Sequence, residues 1–280
     1  MNNTPPNKIN HLPGSDPKAG INGLGVDIDV YAHRGSTLLA PENTATAFEM
    51  ALGFGADILE IDVRLSRDNQ VIVTHDQRVD RTCNGQGNVR NHSESELKKL
   101  DAGWHFTDLQ GMSYRGKGIT FMSLSDLFEQ FPNTRINIDI KDNSDIAAKA
   151  VADCIEKANA QHRVNIGSFH GQALAQFRTF APGVTTAASQ SEVARLYFGR
   201  HLSRRLKFQY LQIPTAYYGL PLATNRFIKF AQGKGVSAVY WTINTSAQME
   251  KLIARGVNGI VTDRVDLACQ LLGKKPSQPK

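Results

Sequence analysis

Cysteine is scarce: Cys83, Cys154 and Cys269 are scattered along 280 residues, and no two form a CxxC pair. This gives no support for a zinc knuckle or a disulfide framework, and three free thiols in a reducing compartment is the reading that follows. Long apolar runs are missing too; no stretch of about 18 apolar residues occurs, which argues against a membrane-spanning helix. Residues 1–25 lack the apolar centre of a signal peptide and are rich in Pro, Asn and Gly, as expected of a disordered or extended lead-in. A cytoplasmic location is the corresponding expectation. No internal repeat or low-complexity tract interrupts the central part, and no recognised nucleic-acid-binding motif occurs, so nucleic acid is not expected as a partner.

What is present suits a soluble globular protein. Hydrophobic residues make up 41% and charged residues 21%, enough apolar material for a full core. The net charge of +6 favours anionic small-molecule substrates or an anionic membrane surface. The basic stretch Arg195 to Lys207, with Arg200, Arg204 and Arg205 inside it, and the cluster Trp104-His105-Phe106 are the candidates for peripheral membrane contact. Composition does not indicate an oligomeric state.

From Val26 onward, strand-length apolar runs alternate with helix-period segments. Strands are expected over Val26–Ala32, Asp57–Val63, Gln70–Thr74, Arg135–Ile140, Arg163–Gly167, Gly183–Ala187, Tyr210–Ile213, Val236–Thr242 and Gly259–Val261. Helices are expected over Thr44–Gly53, Ser144–Ala160, Gly171–Phe180, Asn225–Gly233 and Ala247–Arg255, the last capped by Ser246 and ended by Gly256. Repeated βα units of this number predict an α/β fold, a TIM (β/α)8 barrel over residues 26–273, with a doubly wound open sheet as the alternative. Residues 77–120 break the rhythm and are expected to form an inserted, lid-like segment after the second βα region; 274–280 form a polar tail.

The chemistry-bearing residues are concentrated between 33 and 76. Glu60 and Asp62 alternate with apolar residues in Ile58-Leu59-Glu60-Ile61-Asp62-Val63, so both carboxylates share one face of a strand. Two buried like charges repel, and a divalent cation compensates them most simply. Asn137, Asp139 and Lys141 share a face of another strand. A third acid there would complete an all-oxygen site suited to Mg²⁺ or Ca²⁺; an Asp139–Lys141 ion pair without metal is the alternative. His33 and His75 each end an apolar run, on either side of the carboxylate pair, and histidine titrates near neutrality. Arg34 adds a guanidinium fork that fits phosphate oxygens.

These residues resemble the glycerophosphodiester phosphodiesterase family. His33-Arg34-Gly35 with Pro41-Glu42-Asn43-Thr44 matches its opening signature, Glu60-x-Asp62 its metal pair and His75-Asp76 its second histidine motif. Trp241-Thr242-Ile243-Asn244 and Gly256-Val257-Asn258-Gly259-Ile260-Val261-Thr262-Asp263 match its last two strands. The resemblance implies a barrel that hydrolyses glycerophosphodiesters to sn-glycerol 3-phosphate and an alcohol. It implies His33 and His75 as the acid/base pair and Glu60, Asp62 and Asp139 as ligands of a divalent cation. Arg34 and Lys141 are implied as phosphate grips, with Trp241 as a wall against the alcohol and Glu42 and Phe169 as supporting residues. Asp139 stands where relatives commonly carry Glu, His170 where many carry Asp or Asn, and Asn258 where Asp is frequent. Lysophospholipase D-type hydrolysis of lysophospholipids is the alternative activity, and a catalytically inactive binding barrel the non-enzymatic one.

Overall fold

The computed structural model describes residues 28–199 and 206–275. Its strands, in chain order, begin with β1 (Asp29–His33), β2 (Ile58–Leu65), β3 (Val71–Val73), β4 (Arg135–Ile140), β5 (Val164–Gly167) and β6 (Thr185–Thr186). They continue with β7 (Tyr210–Ile213), β8 (Ala216–Tyr217), β9 (Leu220–Pro221), β10 (Ser237–Tyr240) and β11 (Gly259–Thr262). The helices are α1 (Ala45–Phe54), α2 (Glu94–Leu97), α3 (Leu124–Gln130), α4 (Asp145–Lys157) and α5 (Gly171–Phe180). After them come α6 (Gln190–Phe198), α7 (Asn225–Gly233), α8 (Ser246–Ile253) and α9 (Val265–Leu272).

Parallel pairing runs in the order β6-β5-β4-β2-β1-β11-β10-β7. The two ends of that row meet through a parallel bridge between Ala187 and Tyr210, so the sheet closes into an eight-stranded barrel. The closure decides against the open doubly wound sheet.

Strand alternation sorts the side chains between the two faces of the barrel wall. Val30, Ala32, Leu59, Ile61, Ile136, Ile138 and Ile140 are buried in the main core with helix residues such as Phe48, Phe177 and Phe227. Each such side chain contributes about 1.5–3 kcal/mol on burial. The opposite phase forms the barrel interior. Tyr31, Ile58, Val239 and Val261 make a separate small apolar cluster. His33, Glu60, Asp62, Asp139 and Lys141, farther along the same phase, line a cavity. A polar mouth therefore sits on an apolar plug.

Helix starts follow their caps. Thr44, Ser144 and Thr224 accept from Ala47, Ala147 and Phe227 backbone N–H groups, each cap contributing about 1 kcal/mol. Ser246 is not the cap expected for the eighth helix; it is the first helical residue, and Thr245 accepts from Gln248 N. Both residues can cap, and the extended backbone of Thr245 (φ −118°, ψ 142°) decides which one does.

The Gln70–Thr74 run corrects the expectation of a parallel barrel strand. β3 runs antiparallel to β2, pairing Val63 with Val73 and Leu65 with Val71. Only Ser66–Gln70 separate the two strands, too few residues for a parallel crossover. The insertion beyond it buries Val79, Cys83, Val89, Leu97, Ala102, Ile119 and Phe121 in a core of its own. Within it Trp104 stacks under Arg115, 4.2 Å from the guanidinium carbon, and Phe106 meets Tyr114 edge-on. The lead-in, Arg200, Arg204, Arg205 and the end of the tail lie outside the described residues.

Candidate active site

Register collects the charged groups. Glu60 is level with His33 on one side and Asn137 on the other, and Asp62 is level with Asp139. Lys141 Nζ bridges two of the acids, 2.8 Å from Asp62 Oδ1 and 2.6 Å from Asp139 Oδ2. Arg34 N donates to Glu60 Oε2 at 3.0 Å. Its Nε lies 3.0 Å from Asp62 Oδ2 as an ion pair, outside hydrogen-bond alignment. Gly35, with φ +82°, makes this tight turn after β1, and a Cβ there would stand 2.6 Å from Ala47 Cβ.

The two histidines are held alike. His33 Nδ1 is 2.6 Å from Asp263 Oδ1, and His75 Nδ1 is 2.7 Å from Asp76 Oδ1. A ring nitrogen against a carboxylate carries the proton, so Nε2 is the free nitrogen on each ring. Asp263 is itself fixed, accepting from Thr37 Oγ1 at 2.6 Å and Asn244 Nδ2 at 2.7 Å. Behind His75 a chain of ion pairs runs from Asp76 to Arg81 (2.5 Å), Arg81 to Glu42 (2.7 Å) and Glu42 to Arg34 (3.2 Å). It ends at Arg34, which also pairs with Asp62, and so links both halves of the mouth.

Burial sets the electrostatics. Burial and the neighbouring Asp62 charge push the Glu60 carboxyl up to about 7. Burial also raises Asp139, with Asp62 adding to it against the pull of Lys141. Asp62 is buried as well, yet Lys141 and Arg34 hold it below the usual carboxylate range. Lys141 is raised: burial opposes its charge, but Asp139 and Asp62 outweigh that. Burial likewise opposes the charge on His33, but the Asp263 hydrogen bond and Glu60 outweigh it, so its pKa is raised.

Three buried acids face one ammonium and one guanidinium, Lys141 and Arg34. Among the described residues no group of three or more His, Cys, Asp and Glu is drawn together in metal-binding geometry, because Asp62 and Asp139 turn to Lys141. Asp139 Oδ1 is nevertheless buried without a partner, and burial beside the Asp62 charge holds the Glu60 carboxyl up at about 7. Both defects would be relieved by a hard cation that takes oxygen ligands, so the residues fit Mg²⁺ or Ca²⁺.

A model of the glycerophosphoryl diester phosphodiesterase family matches residues 33–267. The chain belongs to that family. As a member it is a hydrolase of glycerophosphodiesters. A glycerophosphodiester phosphodiesterase of Caldanaerobacter subterraneus is 32% identical over 253 residues, 88% of this chain and 98% of the relative. The human lysophospholipase D GDPD1 is 26% identical, covering 83% of this chain and 82% of that protein. Among solved structures, a phosphodiesterase of Oleispira antarctica in complex with the product sn-glycerol-3-phosphate superposes with a TM-score of 0.71. It is 23% identical and covers 88% of this chain and 95% of its own, a likeness that supports the fold.

In this phosphodiesterase the cavity has a volume of about 770 Å³. His33, Arg34, Glu60, Asp62, His75, Asp139, Lys141, Trp241 and Phe169 all line it. Phe169 meets Trp241 edge-on at 5.8 Å and stands 5.4 Å from Lys141 Nζ. Glu42 does not line the cavity and pairs with Arg34 and Arg81. Of the 77–120 segment, no residue lines the cavity; Arg81 approaches it through Asp76. His170 heads α5 without a side-chain cap bond, and Asn258 Oδ1 accepts from Ala238 N, a backbone role that Asp could also fill. No role for Asp263, Arg81 or Asn43 was expected from the sequence; Asn43 Nδ2 donates to Asp62 Oδ2 at 3.2 Å. Asp263 had a signal: it directly follows an apolar strand, as His33 ends one.

Among the described residues no helix is long and apolar enough to cross a membrane.

Proposed function

We propose that the barrel mouth hydrolyses glycerophosphodiesters by proton exchange through His33 and His75, with a divalent cation held by Glu60, Asp62 and Asp139. The observation that carries this reading is the paired arrangement of the histidines, each braced at Nδ1 by an aspartate and facing one cluster of charges. Arg34 and Lys141 bind the non-bridging phosphate oxygens and hold the phosphorus between the two rings. One histidine accepts, at Nε2, the proton of the attacking hydroxyl. The other delivers a proton from Nε2 to the departing alkoxide. One P–O bond breaks and one forms, and overall a water supplies an O–H to phosphorus and a proton to the alcohol. The cation, when bound, supplies positive charge for the phosphoryl oxygens. Asp139, whose Oδ1 has no partner, would be one of the carboxylates that hold it.

Release of glycerol 3-phosphate from glycerophosphocholine, measured with EDTA, Mg²⁺ or Ca²⁺, tests the reading. Turnover that needs the cation and falls about 10²–10⁴-fold in His33→Ala and in His75→Ala supports it. Undiminished turnover in both variants overturns the acid/base pair, and undiminished turnover in EDTA overturns the cation.

A further inference from the structure

At the level of Glu60 the barrel interior passes from charged groups to amides. Asn137 of β4 is level with Glu60 on one side and with Asn165 of β5 on the other. Gln212 of β7 reaches the same point from two strands farther round the wall. Asn165 Nδ2 donates to Asn137 Oδ1 at 2.7 Å, and Gln212 Nε2 donates to the same oxygen at 2.5 Å. That oxygen is thereby saturated. Asn137 Nδ2 and Gln212 Oε1 make no hydrogen bond among the described residues, and both residues line the cavity. Two touching amides thus present an open donor and an open acceptor beside the charged mouth.

The cluster is poorly arranged as core filling. Amides that served only one another would match each donor with an acceptor. Here both bonds converge on one oxygen, and Asn165 Oδ1 is buried without a partner. Apolar side chains would avoid that cost, as Tyr31, Val239 and Val261 do in the same interior. Gly167 is a second, independent sign. It lines the cavity level with Asp139, in a strand and outside the left-handed region, so the backbone does not call for glycine. A Cβ there would stand 3.2 Å from Gln212 Oε1. The missing side chain keeps the approach to the open acceptor clear, as glycine within a strand does where a ligand comes close.

We propose that Asn137 and Gln212 are specificity residues that read the terminal hydroxyl of the substrate's glycerol; this rests on the mouth being the phosphodiesterase site. A hydroxyl is donor and acceptor at once: its O–H donates to Gln212 Oε1 while its oxygen accepts from Asn137 Nδ2. Asn165 acts as a positioning residue that holds Asn137 from behind. Asn137 stands two residues deeper on β4 than Asp139, roughly 7 Å along the strand. With the phosphate on Arg34 and Lys141, the far end of a glycerol extends to the amides. An uncharged pair suits a neutral polyol end and not a second anion. An alcohol without the terminal hydroxyl would leave both amide groups unpaired, which is how a polar pocket rejects an analogue.

The test compares kcat/KM for glycerophosphocholine with that for its analogue in which the terminal hydroxymethyl is a methyl and the middle hydroxyl is kept. Wild type is expected to prefer glycerophosphocholine by about 10²–10⁴-fold. Gln212→Met removes the acceptor, and Gly167→Ala blocks it without touching an amide. Each should lower turnover of glycerophosphocholine and spare the analogue, so that the preference shrinks to about tenfold or less. Thermal unfolding confirms that the variants fold, and if one does not, the other carries the same comparison. Equal turnover of the two diesters by wild type overturns the hydroxyl-reading pair and leaves the hydrolase reading intact. A preference that the folded variants retain, or equal losses on both diesters, overturns the assignment to these residues. No turnover of either diester by wild type overturns both readings.

Discussion

His33 Nδ1 and Asp263 Oδ1 lie 2.6 Å apart although 230 residues separate them in the chain. Barrel closure explains the meeting. β1 and β11 are parallel neighbours with Ala32 level with Thr262, so the next residue of each strand projects into the same interior. Asp263→Asn retains size but loses the charge that selects the ring tautomer. We expect a kcat about 10²-fold lower with the fold unchanged, and the His33 limb of the pH–rate profile moved to lower pH. An unaltered profile would show that Asp263 serves only packing.

Asp76 is held down to about 2: burial opposes its charge, but hydrogen bonds from Arg81 and His75 outweigh that. A depressed carboxylate stabilises the fold above its ordinary pKa of about 4, and that contribution is lost as pH falls through about 2. Arg81→Ala should therefore move the acid unfolding midpoint upward. It should also reduce kcat by loosening His75, with little change in KM. Acid titration followed by circular dichroism, beside steady-state kinetics, checks both parts.

Glu60, pushed up to about 7, must lose its proton to ligate a cation. Mg²⁺ or Ca²⁺ binding near pH 6 should release protons, and affinity should weaken as pH falls below about 7. Calorimetry in buffers of different ionisation enthalpy reads the proton count. A raised carboxyl contributes stability below its ordinary pKa that is lost as pH rises through about 7. Cation-free Glu60→Gln should consequently melt higher than wild type at pH 8, while losing cation affinity.

Gly35→Ala sets a Cβ against Ala47 and imposes a side chain at φ +82°. We expect a loss of about 1–3 kcal/mol in stability and a weaker Arg34–Glu60 contact, seen as a rise in KM for the diester. Unchanged melting and KM would show that the turn tolerates a side chain.

The barrel and most of the mouth were legible because period-two alternation writes both faces of a strand into adjacent residues. Glu60, Asp62, Asp139 and Lys141 stand out as polar interruptions in apolar runs. Three things were not legible. The direction of β3 depended on the length of the Ser66–Gln70 link more than on the strand itself. The partnership of His33 with Asp263 appears only after the first and last strands meet. Helix α6 and the Tyr218-Gly219 turn were missed because α6 is half-polar and the turn places Tyr where Asn or Asp signals a hairpin.

β3 gives the two histidines different kinds of foundation. His33 belongs to a closed ring in which every strand fixes its neighbours, so moving it would require re-registering the whole wall. His75 hangs from a three-residue hairpin leg that continues into a segment with a core of its own. Mutations drifting through that segment can re-aim the second histidine by fractions of an ångström while the barrel stays as it was. In the proposed mechanism the insertion is thus the adjustable mount of the pair.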